Sequence, residues 1–370
     1  MATPVHSTTP SNPQRLTALD AFRGATMMLM VMVNNPGDGR NTYAPLEHAD
    51  WNGWTPTDVV FPSFVWIVGL AMTLALGRRL AAGVTRSELL LHALRRASII
   101  FGLGLLVYLF PYFDFSTMRV LGVLQRIGLC YFLCTAIYVT TNIRGQVAWI
   151  IGLLGSYWLI MQFAPVPGYG SGHFDVERNF AHYVDKIVLG KHNYANTKTW
   201  DPEGIVSTLP AIATMLLGVM AGHLLQLKRS LLSKIGILVA VGVALMAAGY
   251  VVDIWLPINK KLWTSSFTLF MGGLDFALFA FFLWCADERG WVRAFRPAVI
   301  MGMNAIGVYM ASELVDTTLS VLGWREPIYQ TLFLSIASPI NASLLYAIAF
   351  MLSMYAIAYV MYKRNIFLRA

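Results

Sequence analysis

The sequence predicts an all-α, polytopic membrane protein of about ten transmembrane helices with both termini cytoplasmic. Three observations carry this reading. Of the 370 residues, 57% are hydrophobic and only 12% charged, about half the charge of a soluble domain. The apolar residues gather in runs of about twenty, the length that crosses a hydrocarbon core of roughly 30 Å. The basic residues fall in short clusters between those runs, a pattern of membrane topology rather than of a nucleic-acid-binding face, despite a net charge of +8. These properties exclude a soluble enzyme, a fibre and a disordered chain.

Residues 1–14 have no basic start followed by an apolar stretch, so they read as a flexible polar tail and not as a secretory signal. The first span, 18–35, opens with Asp20 and Arg23 and exits at Asn34 and Asn35. The second, 57–77, starts from Thr55-Pro56-Thr57-Asp58: a hydroxyl N-cap, a first-turn proline and an acid near the positive end of the helix dipole. The third, 91–111, follows an arginine cluster; the fourth, 119–141, carries Gln125 and Arg126; the fifth covers 147–164. Beyond a long loop come 205–227, 234–254, 262–285, 297–319 and 341–362, with 329–339 open as half-helix or loop. Residues 15–370 therefore read as a single membrane domain.

Counting Lys and Arg on the two sides of this arrangement gives 16 on the side of the termini and 9 on the other, with Arg23 and Arg126 inside spans. The basic excess marks the cytoplasmic side. The long loops 36–56 and 165–204 are then external. Cys130, Cys134 and Cys285 all lie in apolar segments without CxxC spacing, so neither a disulfide framework nor a metal site is indicated.

Ionisable groups within spans are costly and hence functional candidates. Asp20 and Arg23 are three apart on one face and suit an interfacial ion pair. Arg126, deeper than an arginine can easily snorkel from, suits either an anionic ligand or an intramembrane carboxylate, for which Glu313 and Asp316 are candidates. Asp253 and Asp275 are compatible with helix-end or hydrogen-bonded acids. The densest constellation is 33–62, where Asn34, His48, Trp51, Asn52 and Asp58 can converge at one membrane surface. A histidine there suits a general base or nucleophile, or a hydrogen bond within its own loop. Trp200, Asp201 and Glu203 suit either an interfacial helix start or a sugar-binding ledge with acids to take hydroxyls or an amine.

Seven segments, RLTALDAFRG, VMVNN, EHADWNGWTPTDVVFPSFVWIVG, VLQRIGLCY, DPEGIVSTLPAIATMLLGVMAG, INKKLWTSSF and GMNAIGVYMASE, occur in that order between about residues 15 and 365. Together they resemble the transmembrane acyltransferases typified by heparan-α-glucosaminide N-acetyltransferase and its bacterial relatives. The resemblance implies transfer of acetyl from cytoplasmic acetyl-CoA, used as acyl donor without a metal, to the amine of a terminal glucosamine across the membrane. The family's catalytic histidine matches His48, its exit asparagine Asn34 and its helix-starting acid Asp58. The short tail in place of the animal enzyme's lumenal domain implies a bacterial-type member in the cytoplasmic membrane. Its acceptor is then an amino sugar of an envelope or salvaged glycan.

On this reading His48, Asn34 and Asp58 are catalytic. Arg126, Lys260 and Lys261 are expected to hold the donor's phosphates, and Trp51, Asn52, Trp200, Asp201, Glu203 and Glu313 the acceptor. Partners are acetyl-CoA, the glycan acceptor and membrane lipids, not nucleic acid, with a homodimer left open. The rival is a proton-coupled transporter of an amino sugar, with the intramembrane acids as relay.

Overall fold

A computed structural model describes residues 16–368. The polar tail expected at 1–14 lies outside them. The described chain is helical throughout: α1 (Thr17–Asn34), α2 (Pro56–Ala81), α3 (Arg86–Leu109), α4 (Val123–Thr140), α5 (Ile143–Phe163), α6 (Phe180–Val188), α7 (Thr208–Leu225), α8 (Leu231–Asp253), α9 (Ser265–Leu283), α10 (Arg296–Met303), α11 (Ala305–Val321), α12 (Arg325–Tyr329) and α13 (Pro339–Lys363).

Eight of these helices, α9 together with its π-helical extension, are long and apolar enough to cross a membrane, or nine spans if α10 and α11 count as one span. These helices give the all-α, polytopic architecture expected from the sequence; α1 and the α10–α11 pair, added to the eight, account for the expected ten. The first expected span is α1, but Asp20, Arg23 and Asn34 dilute its apolar character and it is not among the eight. The ninth is two helices bent by 81° around Asn304. In the 329–339 stretch, α12 continues as one π-helical turn through Leu334, and the 165–204 loop contains the amphipathic α6.

Local chemistry sets the helix starts. Asp58 accepts the Thr55 backbone N–H at 3.0 Å, and Glu88 does the same for Thr85 at 3.0 Å, each capping a helix whose first turn would otherwise leave donors unpaired. Membrane helices have no hydrophobic drive to associate, so close contact depends on small residues. Gly69 and Gly218 make that contact between α2 and α7: a Cβ on either would lie 2.0 Å from the carbonyl oxygen of Met215 or Trp66. The core forms there, around Trp66, Met215, Phe276 and Phe279. The apolar window of α2 is 72% buried and that of α8 only 17%, so α2 is central while α8 turns Val239, Val243 and Val251 outward, as a lipid-facing helix does.

The bundle has two ends. At the entry face, where α1 begins, the Ala18 backbone N–H donates to Asp287 at 2.9 Å. At the opposite, site face, the α1–α2 loop meets the start of α13, where the Gly37 N–H donates to the Ser343 carbonyl at 3.2 Å.

Candidate functional site

Asp58 organises the site. It is 1% exposed, and its Oδ2 accepts the backbone N–H groups of Ala49 and Thr55, both at 3.0 Å. Its Oδ1 lies 2.7 Å from His48 Nδ1. A carboxylate at Nδ1 places the proton there and leaves the lone pair on Nε2. The His48 side chain is 47% exposed, so this base is accessible at the site face.

The α8–α9 connection completes the wall around the imidazole. Gly53 donates its N–H to the Ile258 carbonyl at 2.7 Å, and Asn259, fully buried, donates from Nδ2 to Asn52 Oδ1 at 3.2 Å. Asn259 also accepts the Leu262 N–H at 2.9 Å, which tightens the turn it starts. The clamp sets Lys260 Nζ 3.1 Å from Nδ1 and 3.3 Å from Nε2 of His48, and 3.6 Å from Asp58 Oδ1. Near-equal distances to both ring nitrogens are not the in-plane geometry of a hydrogen bond to either. Burial draws the Lys260 ammonium below the ordinary lysine range, while Asp58 and Glu203 favour its charged form. Lys261 points elsewhere, to the Asp50 carbonyl and over the Trp51 ring at 5.9 Å.

A second cluster lies beside the first. Arg119 forms a two-pronged bond to Asp201, Nε to Oδ2 at 2.8 Å and a terminal nitrogen to Oδ1 at 2.6 Å, and also bonds Glu203 and the Tyr108 hydroxyl. Its guanidinium lies 4.4 Å from the centre of the Tyr194 ring. Burial alone would lift the Glu203 carboxyl, but Arg119 and Arg126 outweigh it and hold the group below its ordinary value. Asp185, on α6, accepts the N–H groups of Ile205 at 2.9 Å and Asp201 at 3.3 Å, and burial pushes its carboxyl up to about 6. The face of Trp200 is covered by His182, stacked at 4.1 Å, and Trp51 meets both rings edge-on while its Nε1 donates to the Phe174 carbonyl at 2.8 Å.

The expected residues thus separate into groups. His48, Asp58 and Lys260 meet directly, with Asn52 and Trp51 in the supporting wall. Asp201 and Glu203 are spanned by Arg119, and the Trp200 ring is already stacked rather than presented as a ledge. Asn34 ends α1 exposed, and the ring partners of His48 are Asp58 and Lys260, not Asn34. Arg126 is buried in the first turn of α4, bonded to the Gly204 carbonyl at 3.1 Å and to Ser207, with its guanidinium 5.0 Å from the Trp263 ring centre. Glu313, on α11, has Asp316 and Arg119 as electrostatic neighbours, and Asp316 itself pairs with Arg325 at 3.5 Å. Asp20 and Arg23 pair at 3.3 Å, Asp253 accepts the Ile258 N–H at 2.6 Å, and Asp275 bonds Ser63 at 2.5 Å.

Three residues of the site had escaped sequence reasoning. Asp185 carries no local signature, and Asn259 lies in the INKKLWTSSF segment beside Lys260 without a chemistry of its own to mark it. Arg119 had one: it is a basic residue beside the external surface that also carries the unpaired-looking Asp201 and Glu203.

A cavity of about 710 Å³ enters the bundle among α1, α2, α3, α4 and α10–α11. Arg23, His92, Arg95 and Arg96 line it in the entry-face halves of α1 and α3, and Tyr309 lines it further in. Tyr309 in turn neighbours Glu313, Tyr108, Glu203 and Arg119, so the cavity approaches the site-face cluster from below. Arg126, Lys260 and Lys261 are not among its lining residues. No group of three or more His, Cys, Asp or Glu side chains able to hold a metal is present among the described residues.

The chain is 28% identical to heparan-alpha-glucosaminide N-acetyltransferase of Mus musculus over 415 aligned positions, covering 96% of this chain and 61% of the relative. Against the Homo sapiens protein of the same name it is 28% identical over 413 positions, covering 96% and 60%. It thus spans about three fifths of the length of these curated relatives. The family described as heparan-alpha-glucosaminide N-acetyltransferase, catalytic, matches residues 15–246, a stretch that holds His48, Asp58, Arg119 and Glu203, and this membrane protein belongs to that family.

Proposed function

We propose that the protein is a transmembrane N-acetyltransferase that takes acetyl from acetyl-CoA at the entry face and delivers it to the amine of a glucosamine-type sugar at the site face. The observation that carries the reading is the His48–Asp58 pair: a buried carboxylate 2.7 Å from Nδ1, with the imidazole exposed where an acceptor arrives. The family relatives, named for N-acetyl transfer to glucosaminide, support the reaction class. The entry face is taken as cytoplasmic on the basic excess of its loops.

Acetyl transfer to an amine requires a proton acceptor, a positioned thioester and exclusion of water. Nε2 of His48 is the acceptor for the amine proton, and Asp58 fixes the tautomer and steadies the imidazolium that forms. Direct transfer is the favoured course, since an acetyl-imidazole hydrolyses readily unless shielded and His48 is half exposed. The cavity suits the donor. Its arginines match the phosphates of CoA, and its apolar length suits a pantetheine arm reaching toward Tyr309.

The test is incubation of purified protein with acetyl-CoA and a panel of amino sugars, read by mass spectrometry. N-acetylated glucosamine is the expected product, and His48→Ala, folded, is expected to lose roughly 10²–10⁴-fold in rate. Full activity in that variant, or no acetylated product from wild type, would sink the reading. Solute uptake into proteoliposomes without acetyl-CoA, lost in Glu313→Gln and kept in His48→Ala, would establish the transporter instead.

A further inference from the structure

The dyad supplies a base but not the second requirement of acyl transfer, a donor for the negative oxygen that appears when the thioester carbonyl is attacked. Two backbone donors of the His48 loop are engaged elsewhere: the N–H groups of Ala49 and Thr55 both go to Asp58 Oδ2. Asn34 makes no bond to His48, and Arg119 is committed to Asp201, Glu203 and Tyr108. Directly beside Nε2 stands the Lys260 ammonium, 3.3 Å away.

The fold holds Lys260 there deliberately. The Gly53–Ile258 and Asn259–Asn52 bonds tie its loop to the segment that follows His48, so two groups 212 residues apart share one wall. An ammonium has three N–H donors. Asp58 pairs with it at 3.6 Å, and the imidazole is not a good in-plane acceptor, so donor capacity is left for a further partner. A reacting atom within about 3 Å of both the base and an oxyanion donor is what an acyl-transfer site must accommodate.

We propose that Lys260 is the oxyanion-holding catalytic residue of the acetyl transfer, and not a phosphate ligand of the donor. The proposal rests on the acetyltransferase reading above. The acceptor amine nitrogen forms a bond to the thioester carbon, and the carbonyl π pair moves to oxygen, where the Lys260 ammonium holds it. His48 Nε2 takes the proton from that nitrogen. The oxygen pair then re-forms the carbonyl as the carbon–sulfur bond breaks with its pair going to sulfur, and the thiolate receives the proton from His48, giving amide and free CoA thiol. Lys260 is an ammonium before and after. A phosphate bound to Lys260 would instead fill the space in front of Nε2, and the cavity's own arginines lie toward the other face. Nor is Lys260 an acyl carrier, because an acetyl-lysine amide would not release its acetyl group.

Four groups face Lys260: His48 from the α1–α2 loop, Asp58 from α2, Glu203 from the segment before α7 and Lys261 from its own loop. Burial opposes its charge and the two acids support it, so its deprotonation falls below that of a free lysine and should appear as an alkaline limb in kcat.

The experiment is steady-state kinetics of wild type, Lys260→Met and Lys260→Arg with acetyl-CoA and glucosamine, from neutral to alkaline pH, each protein verified as folded by its thermal transition in detergent. Lys260→Met is expected to lose about 10²–10³-fold in kcat with the donor KM little changed. Lys260→Arg, which cannot deprotonate, is expected to keep part of kcat and lose the alkaline limb. Unchanged kcat in Lys260→Met overturns the proposal, and a raised donor KM with kcat intact returns Lys260 to phosphate binding. An inactive wild type overturns the acetyltransferase reading itself, which separates the two failures.

Discussion

At the scale of single residues, one carboxylate performs two tasks. Asp58 caps α2 through Oδ2 and orients His48 through Oδ1, so the helix start and the placement of the exposed imidazole are set by the same side chain. Arg119 is the corresponding hub of the neighbouring cluster. Replacing it leaves two buried acids without their cation, and Arg119→Met is expected to cost about 3–5 kcal/mol, read as a lowered thermal transition in detergent. Arg119→Lys keeps the charge but loses the fork that spans Asp201, so it should fall between the two. A Met variant as stable as wild type would contradict the hub role.

The buried pair His182 and Asp185 makes a pH prediction. Burial holds the His182 imidazole down to about 4 and Asp185 up to about 6. As pH falls from about 6.5 to about 4, the unfolded chain takes up the histidine proton first, so His182 removes stability over that window. Asp185 acts in the opposite sense, because the folded protein binds its proton first, and its contribution is lost as pH rises from about 4 to about 6. Asp185→Asn removes the second effect and leaves the first. Amide protection across 180–205, taken relative to the intrinsic exchange rate at each pH, should therefore fall with acidification more steeply in Asp185→Asn than in wild type; parallel pH profiles would refute this.

At the scale of elements, close helix approach is the controlling feature. α2 and α7 meet through Gly69 and Gly218, where an added Cβ would strike backbone that cannot move aside. Gly218→Val is expected to destabilise the bundle by several kcal/mol, whereas Gly155→Ala on α5, with open space around it, should stay within about 1 kcal/mol of wild type. Thermal unfolding of the two variants in detergent checks the contrast. The break between α10 and α11 has a tertiary cause as well. The Asn304 side chain there donates to the Ile366 carbonyl and accepts the Leu368 N–H, both at 3.0 Å, so the bend docks the end of the described chain beside the cavity, which Leu368 also lines.

At the scale of the whole molecule, the arrangement matches the task proposed for it. On that proposal, the cavity with arginines at one level and His48 at the opposite face would let donor and acceptor approach from separate compartments. The proposed orientation has a direct test in intact cells. The native cysteines are buried, so a membrane-impermeant thiol reagent should label Asn196→Cys on the site face but not Ala82→Cys on the entry face. The opposite pattern would invert the topology. Donor binding has its own signature: Arg95→Glu should raise the acetyl-CoA KM while leaving the pH dependence of kcat unchanged, as measured by initial rates.

The sequence by itself determined the class of fold, because the apolar runs and scarce charges that membrane solvation demands are properties of composition. It also brought His48 and Asp58, ten residues apart, to one membrane surface, where a local helix cap closes the contact between them. Only the tertiary structure decided the rest. Lys260 reaches His48 through a clamp between loops more than 200 residues apart, and Asp201 and Glu203 face Arg119 across 82 and 84 residues. Charge alone could not assign those partners, since a basic residue on an external loop is written the same way whether it meets a phosphate, a carboxylate or an imidazole. The Asp20–Arg23 pair, three residues apart on α1, was legible in the sequence, whereas the bend between α10 and α11 has its partners, the Ile366 carbonyl and the Leu368 N–H on Asn304, only in the folded bundle.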